Sequence, residues 1–106
     1  MKTSELTGAA LDWAVAKCEK PDWLGNQAEV YVLKAGFHPS TNWAQGGVII
    51  ERERIEIVPD EIWNAYKQDQ HIPNTGITPL IAAMRCYVAS KLGYEVEVPE
   101  ELINYA

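Results

Sequence analysis

A chain of 106 residues has room for one hydrophobic core but not for two, and 47% apolar against 23% charged residues is the balance of a globular chain rather than a disordered one. Nine Lys and Arg against fifteen Asp and Glu leave a net charge of −6, which opposes the counterion release behind general nucleic-acid binding and excludes duplex DNA as an expected partner. A small anion remains admissible, because a few local donors can outweigh a weak overall field inside a desolvated site.

In chain order, the first predicted element is a helix with Thr7 as N-cap, since Leu11, Ala14, Val15 and Cys18 recur at the three-and-four spacing of one stripe. Trp13 falls about 160° from the centre of that stripe and is expected to pack against a second layer. Lys20-Pro21-Asp22 stops the helix. Residues 29–34, with Val30, Tyr31, Val32 and Leu33 in one run, read as a strand buried on both faces. Val48-Ile49-Ile50 and Ile55-Glu56-Ile57-Val58 read as two more strands, flanking the solvated charges Glu51-Arg52-Glu53-Arg54. Pro59-Asp60 is expected to open a short helix that places Ile62 and Tyr66 on one face, with Trp63 beside them and Asp60 as cap.

The strongest pattern is a helix over residues 78–92, where Thr78 as N-cap, Pro79 at the first helical position and Gly93 past the end all agree. Beyond it, Val96 and Val98 alternate with Glu95 and Glu97 as in a half-buried strand, which Pro99 ends. The expected architecture is a single α+β domain spanning residues 1–106, a small antiparallel sheet packed against two longer helices. The N-terminal residues lack the apolar stretch of a signal peptide, and no run reaches membrane-spanning length, so a cytoplasmic protein without a membrane partner is expected. Cys18 and Cys86 fit buried helical positions as reduced thiols. With His38 and His71 they lack the paired spacing of a zinc site, so neither a metal nor a cofactor is expected.

Three features carry candidate chemistry. The segment Ser40-Thr41-Asn42-Trp43-Ala44-Gln45-Gly46-Gly47 combines hydroxyls, amides, an indole and a glycine pair, the composition of a ligand loop between two strands. Its expected place is the rim of the main pocket, with Trp43 as one wall. The same residues also suit an ordinary turn in which Asn42 and Ser40 satisfy local backbone groups and Trp43 anchors the loop to the core. Arg85 projects within about 40° of the centre of the apolar stripe marked by Ile81, Val88 and Leu92, so it should be largely buried with a carboxylate, carbonyls or an anionic ligand as partner. An ion pair with Asp12, Glu51 or Glu53 is the favoured solution. The helix start at Gly76-Ile77-Thr78 adds a weak anion site. No Walker, Rossmann or nucleophile-elbow motif occurs, and no carboxylate is singled out as an acid or base, so no catalytic residue is assigned.

Three blocks make the chain familiar: residues 2–19, around Ala9-Ala10-Leu11-Asp12-Trp13; Pro39-Ser40-Thr41-Asn42-Trp43-Ala44-Gln45-Gly46-Gly47 running into Ile49-Ile50-Glu51-Arg52-Glu53; and residues 78–93, around Thr78-Pro79-Leu80 and Ala83-Met84-Arg85-Cys86-Tyr87. Together they resemble the NinX-like family of small proteins from temperate phages of enteric bacteria. Val48 stands where the family usually has a proline, and residues 56–77 look particular to this chain. The resemblance implies a phage accessory protein acting in an infected bacterial cell. With the loop, it points to a non-catalytic protein binding a small polar or anionic, nucleotide-like ligand through Ser40, Thr41, Asn42, Trp43, Gln45, Gly46, Gly47, Thr78 and Arg85, in a role such as sequestering a host defence signal. The alternatives are a module that inhibits a host protein through Trp13, Trp23, Trp63 and an acidic surface, and a small nucleotide-processing enzyme; a homo-oligomer is compatible with each.

Overall fold

Helix α4 (Pro79–Leu92) organises the molecule, and it forms where its boundary residues place it. Thr78 Oγ1 accepts from the Ile81 amide at 3.1 Å, Pro79 sits in the first turn, and Gly93 follows the last residue with φ +85°. Leu80, Ala82, Ala83, Met84, Cys86, Tyr87, Val88 and Ala89 are buried, so the helix is apolar on nearly all sides and must be covered on all of them. The computed structural model, which describes residues 1–68, 70 and 73–103, shows how. A three-stranded antiparallel sheet in the order β1 (Glu56–Val58), β2 (Trp63–Tyr66), β3 (Asn74–Gly76) packs on it, as do α1 (Gly8–Glu19) and α3 (Trp43–Glu53). Helix α2 (Gln27–Leu33) lies on α1, a 3-10 turn (Thr3–Glu5) precedes α1, and α5 (Glu100–Ile103) ends the described chain against α1. This is a small α+β domain. Among the described residues no helix is long and apolar enough to cross a membrane.

The sheet register sets Ala65 opposite both Ile57 and Asn74, and Trp63 opposite Gly76. Small residues allow β3 to lie against the start of α4: a Cβ on Gly76 would come within 2.5 Å of the Ala82 amide nitrogen. On the other side, α1 buries Ala10, Leu11, Ala14, Val15 and Ala16. Trp13 is buried in the second layer, where its indole Nε1 donates to Glu29 of α2 at 3.0 Å. Thr7 occupies the N-cap position in extended geometry, although its side chain makes no cap bond.

Three expected elements are of the other type. Residues 29–34 are not a strand: 29–33 belong to α2 and Lys34 is its C-cap, and in this helix Ala28, Tyr31 and Val32 turn to the core at helical spacing while Val30 and Leu33 are left 43% and 42% exposed. An unbroken apolar run has no period of its own, and packing on α1 selects the helical one. Val48, Ile49 and Ile50 are likewise helical, in α3, with Ile49 in the core and Val48 outside. Residues 63–66 form β2 instead of a helix: Asp60 Oδ1 accepts from the Glu61 amide at 2.9 Å, so Pro59-Asp60 shapes the turn between β1 and β2 rather than a helix start. Around Val96 the expected alternation holds, Val96 being buried between exposed Glu95 and Glu97, but no ladder forms. Its backbone exchanges hydrogen bonds with Met1 beside the isolated bridge Lys2–Glu95.

Gly76→Ala should lower stability by about 1 to 3 kcal/mol through overpacking against α4. Gly47→Ala, where a Cβ would meet nothing nearer than the Trp43 ring at 3.9 Å, should raise it by up to about 1 kcal/mol. Urea denaturation of the two variants checks the pair; equal effects would mean that the approach of β3 to α4 is not tight.

Candidate functional site

The segment 40–47 is not a loop between strands but the capped entry to α3. Asn42 is the N-cap and its Oδ1 accepts from the Gln45 amide at 3.2 Å. Gln45 turns back on the chain before it: Oε1 accepts from the His38 amide at 2.6 Å and Nε2 donates to the Gly36 carbonyl at 3.0 Å. Thr41 Oγ1 donates to the His38 carbonyl at 3.4 Å, and the buried Ser40 amide donates to Asp12 Oδ1 of α1 at 2.9 Å. Gly46 is where α3 meets the chain, since a Cβ there would lie 2.4 Å from the Pro39 carbonyl oxygen and 2.7 Å from Leu80. The Asn42 side-chain carbonyl oxygen, both ends of the Gln45 amide, the Thr41 hydroxyl and the Ser40 backbone amide are therefore engaged in building the segment. Asn42 followed three residues later by Gln45 is the spacing of a helix N-terminus, a sign present in the sequence.

Trp43 is not a core anchor, being 56% exposed on the first turn of α3, and it does not line the groove between α2 and α3. Arg85 is half-buried and pairs with carbonyls instead of a carboxylate, Nε donating to Leu6 at 2.9 Å and Nη1 to Thr75 at 2.8 Å. Of the carboxylates expected for it, Asp12 holds Ser40, Glu53 holds Arg52 and Lys67, and Glu51 is exposed. Burial lowers the Arg85 pKa, and the guanidinium joins the entry of α1 to β3. Thr78 is occupied as the α4 cap. His71 lies outside the described residues, Cys86 Sγ is 3.1 Å from Gln70 Oε1, and the half-buried Cys18 has its thiol pushed up to about 12 by burial.

Sequence reasoning missed a groove between α2 and α3. A depression of about 260 Å³ is lined by Tyr31, Ala35, Phe37, Ala44, Val48 and Ile49, together with the polar Glu19 and Gln45. Sharing Tyr31 and Ala35, a second hollow of about 300 Å³ extends it to Trp23 and Val30. Its floor is aromatic: Trp23 meets Tyr31 edge-on at 5.2 Å, and Tyr31 stacks on Phe37 at 4.5 Å. Val48 at the rim is 61% exposed. Of the residues expected to bind a ligand, Gln45 alone lines this groove, and the wall it contributes is fixed by its bonds to Gly36 and His38.

Behind the groove, Glu19 takes both Nη atoms of Arg52 and the Tyr87 hydroxyl. Arg52 also reaches Glu53, which Lys67 approaches to 3.0 Å. Burial would raise the Glu19 carboxyl, but the bonds from Arg52 and Tyr87 outweigh it and hold it below the usual carboxylate range. Hydrogen bonding from Arg52 does the same for Glu53. Asp12 moves the other way, since burial raises its pKa against the opposing bond from Ser40.

Comparison with known families gives a match to the one described as Bacteriophage P22, NinX, over residues 2–91. The chain belongs to that family. The match spans the α2–α3 groove, the α3 entry and Arg85, and it includes residues 56–77, so the sheet belongs to the matched region of the chain as well. Comparison with curated proteins gives no match.

Arg85→Ala should cost about 1 to 3 kcal/mol in chemical denaturation, the penalty for leaving the two carbonyls without their donor; an unchanged midpoint would show that water replaces the guanidinium. Glu19 and Glu53 contribute stability that is complete above the unfolded carboxylate value near pH 4.3 and is lost as the pH falls through their lower folded values. Asp12 has the opposite sign, its contribution present at low pH and lost as the pH rises through its raised value. Glu19→Gln should therefore be most destabilised near neutrality and approach the parent on acidification. Asp12→Asn, which keeps an acceptor for Ser40, should gain on the parent as the pH rises. Denaturation curves across pH 3 to 7 read both, and a deficit of Glu19→Gln that is constant with pH would contradict the assignment.

Proposed function

We propose that this phage NinX-family protein is a non-catalytic binding module that holds a segment of a partner protein in the α2–α3 groove. The observation that carries the reading is an aromatic floor flanked by exposed aliphatic rims, Val30 and Val48, gathered in one groove. A small polar ligand on Trp43 would find Asn42, Gln45 and Arg85 already committed to backbone partners, whereas apolar side chains entering the groove displace none of those bonds. A host protein is the natural partner for a phage accessory protein, and inhibiting a host defence function through it is consistent with this mode of action.

Photo-crosslinking residues placed at positions 30 and 48 in infected cells should give one shared heteromeric adduct, absent from position 61 in the β1–β2 turn. Val48→Asp should weaken the recovered complex by more than about 1 kcal/mol, a fivefold or larger loss. Both Val48→Asp and Trp43→Ala should leave stability within about 0.5 kcal/mol of the parent, because both side chains are mostly exposed. Equal adducts from position 61, or none from 30 and 48, would remove the groove from consideration.

A further inference from the structure

A separate hollow of about 690 Å³ adjoins the C-terminal end of α3 and the paired strands β1 and β2, where Arg54, Glu56, Val58, Tyr66, Lys67 and Gln68 line it. We propose that it binds a small molecule combining a flat ring with an anionic group, the chemistry of a nucleoside phosphate. The ring lies on Tyr66 and Val58, the anion meets Arg54, and Glu56 accepts from an N–H or O–H of the ring or sugar. The site is independent of the α2–α3 groove.

The sheet register builds the floor. Ile57 and Ala65 oppose each other and turn to the core, so Glu56, Val58 and Tyr66 face the other side of the sheet, with Glu56 directly opposite Tyr66. The fold leaves this chemistry unused: among the described residues, no hydrogen bond or ion pair engages the side chains of Arg54, Glu56, Tyr66 or Gln68. Asn42 and Gln45, by contrast, spend their amides on the backbone. Lys67 is committed to Glu53 at 3.0 Å, which makes Arg54 the partner for an anion. Arg54 and Glu56 bring opposite charges into one hollow without pairing, so a ligand finds a donor and an acceptor with no salt bridge to break. The backbone supplies a second observation. Arg54 is the C-cap of α3 at φ +55° and ψ +48°, and among the described residues it alone combines a side chain with a positive φ. Glycine adopts that conformation freely, whereas a residue with a Cβ is strained in it. A position suited to glycine thus holds a long cation on the wall of a hollow, an outlier of the kind that clusters at binding sites. The volume falls in the range of small-molecule sites, and the half-buried Tyr66 ring offers a stacking face. With a net charge of −6 the chain opposes an extended polyanion, which limits the ligand to a small molecule.

Amide NMR spectra of the full chain, titrated with adenosine and guanosine 5′-monophosphates, test the proposal, with inorganic phosphate and the two nucleosides as separate arms. At least one monophosphate should shift the amides of residues 54–58 and 66–68 saturably, and its phosphate or its nucleoside alone should bind about tenfold more weakly or worse. Arg54→Gly is the decisive variant, because it relieves the backbone while removing the guanidinium: it should melt at a higher temperature than the parent and bind the monophosphate about tenfold more weakly. Tyr66→Leu should weaken the monophosphate about tenfold and leave the response to phosphate unchanged. Should Tyr66→Leu fail to fold, comparison of the nucleoside and phosphate arms on the parent reads the same contribution. No saturable shift with any probe, equal affinity of Arg54→Gly and the parent, phosphate as tight as the monophosphates, or shifts centred on Val30 and Val48 would each overturn the proposal.

Discussion

Helices α1, α3 and α4 end at one place, where their last turns line a common hollow of about 490 Å³. Three sets of unpaired carbonyls, and the negative ends of three helix dipoles, are brought together there, an arrangement that is repulsive by itself. Each helix supplies the remedy from its own last turn: Lys17 in α1, Arg52 in α3 and Lys91 in α4. A cation so placed is worth about 0.3 to 1 kcal/mol at one exposed helix end, and here the cations are further connected. Glu19 and Glu53 join Arg52, Lys67 and Lys91 into a network, the Tyr87 hydroxyl closes it from α4, and the Arg52 guanidinium lies over the Tyr87 ring at 5.7 Å. The run Glu51-Arg52-Glu53-Arg54 is thus only partly a solvated surface. Its middle pair sets how α3 meets α1 and α4, and so sets one wall of the groove.

What was legible in the sequence was what is decided locally. The limits of α4 come from Thr78, Pro79 and Gly93, each acting within a turn of itself, and they stand where expected. The placement of Trp13 in a second layer was also readable, because helical geometry leaves a bulky side chain opposite the main stripe either exposed or covered. The segments that went the other way are short apolar runs in which composition is indifferent to period. Val30 to Leu33 carries β-branched and aromatic residues and still forms α2, because only the helical arrangement sends Ala28, Tyr31 and Val32 together onto α1. In the same way Trp63 becomes strand by pairing with Gly76 of β3, whose lack of a side chain lets β3 lie against α4, a relation between positions far apart in sequence.

Arg85 shows a finer limit. Its need for partners followed from its angular position, but their identity did not, since backbone carbonyls are present at every residue and leave no mark in the sequence. Leu6 and Thr75 supply them because the entry of α1 and the edge strand β3 flank α4 at that level. Two carbonyls neutralise no charge, which is why burial lowers the Arg85 pKa where a carboxylate would have raised it.

Asn42 and Gln45, two of the residues with the most chemistry in the sequence, spend it inside the fold, and that use is what makes a groove possible. Gln45 clamps the backbone at Gly36 and His38, so the Phe37 ring between them is held at the groove floor. Asp12 clamps the Ser40 amide from α1, fixing the approach to α3, and Gly46 lets the helix settle against Pro39 and Leu80. Phe37 in the α2–α3 connection can then stack on Tyr31 of α2, and Val48 faces outward with no part in the core. None of the groove's apolar members is unusual in composition, so a search for polar, ligand-like clusters passes over them. The donors and acceptors form a frame, and the surface they frame is apolar.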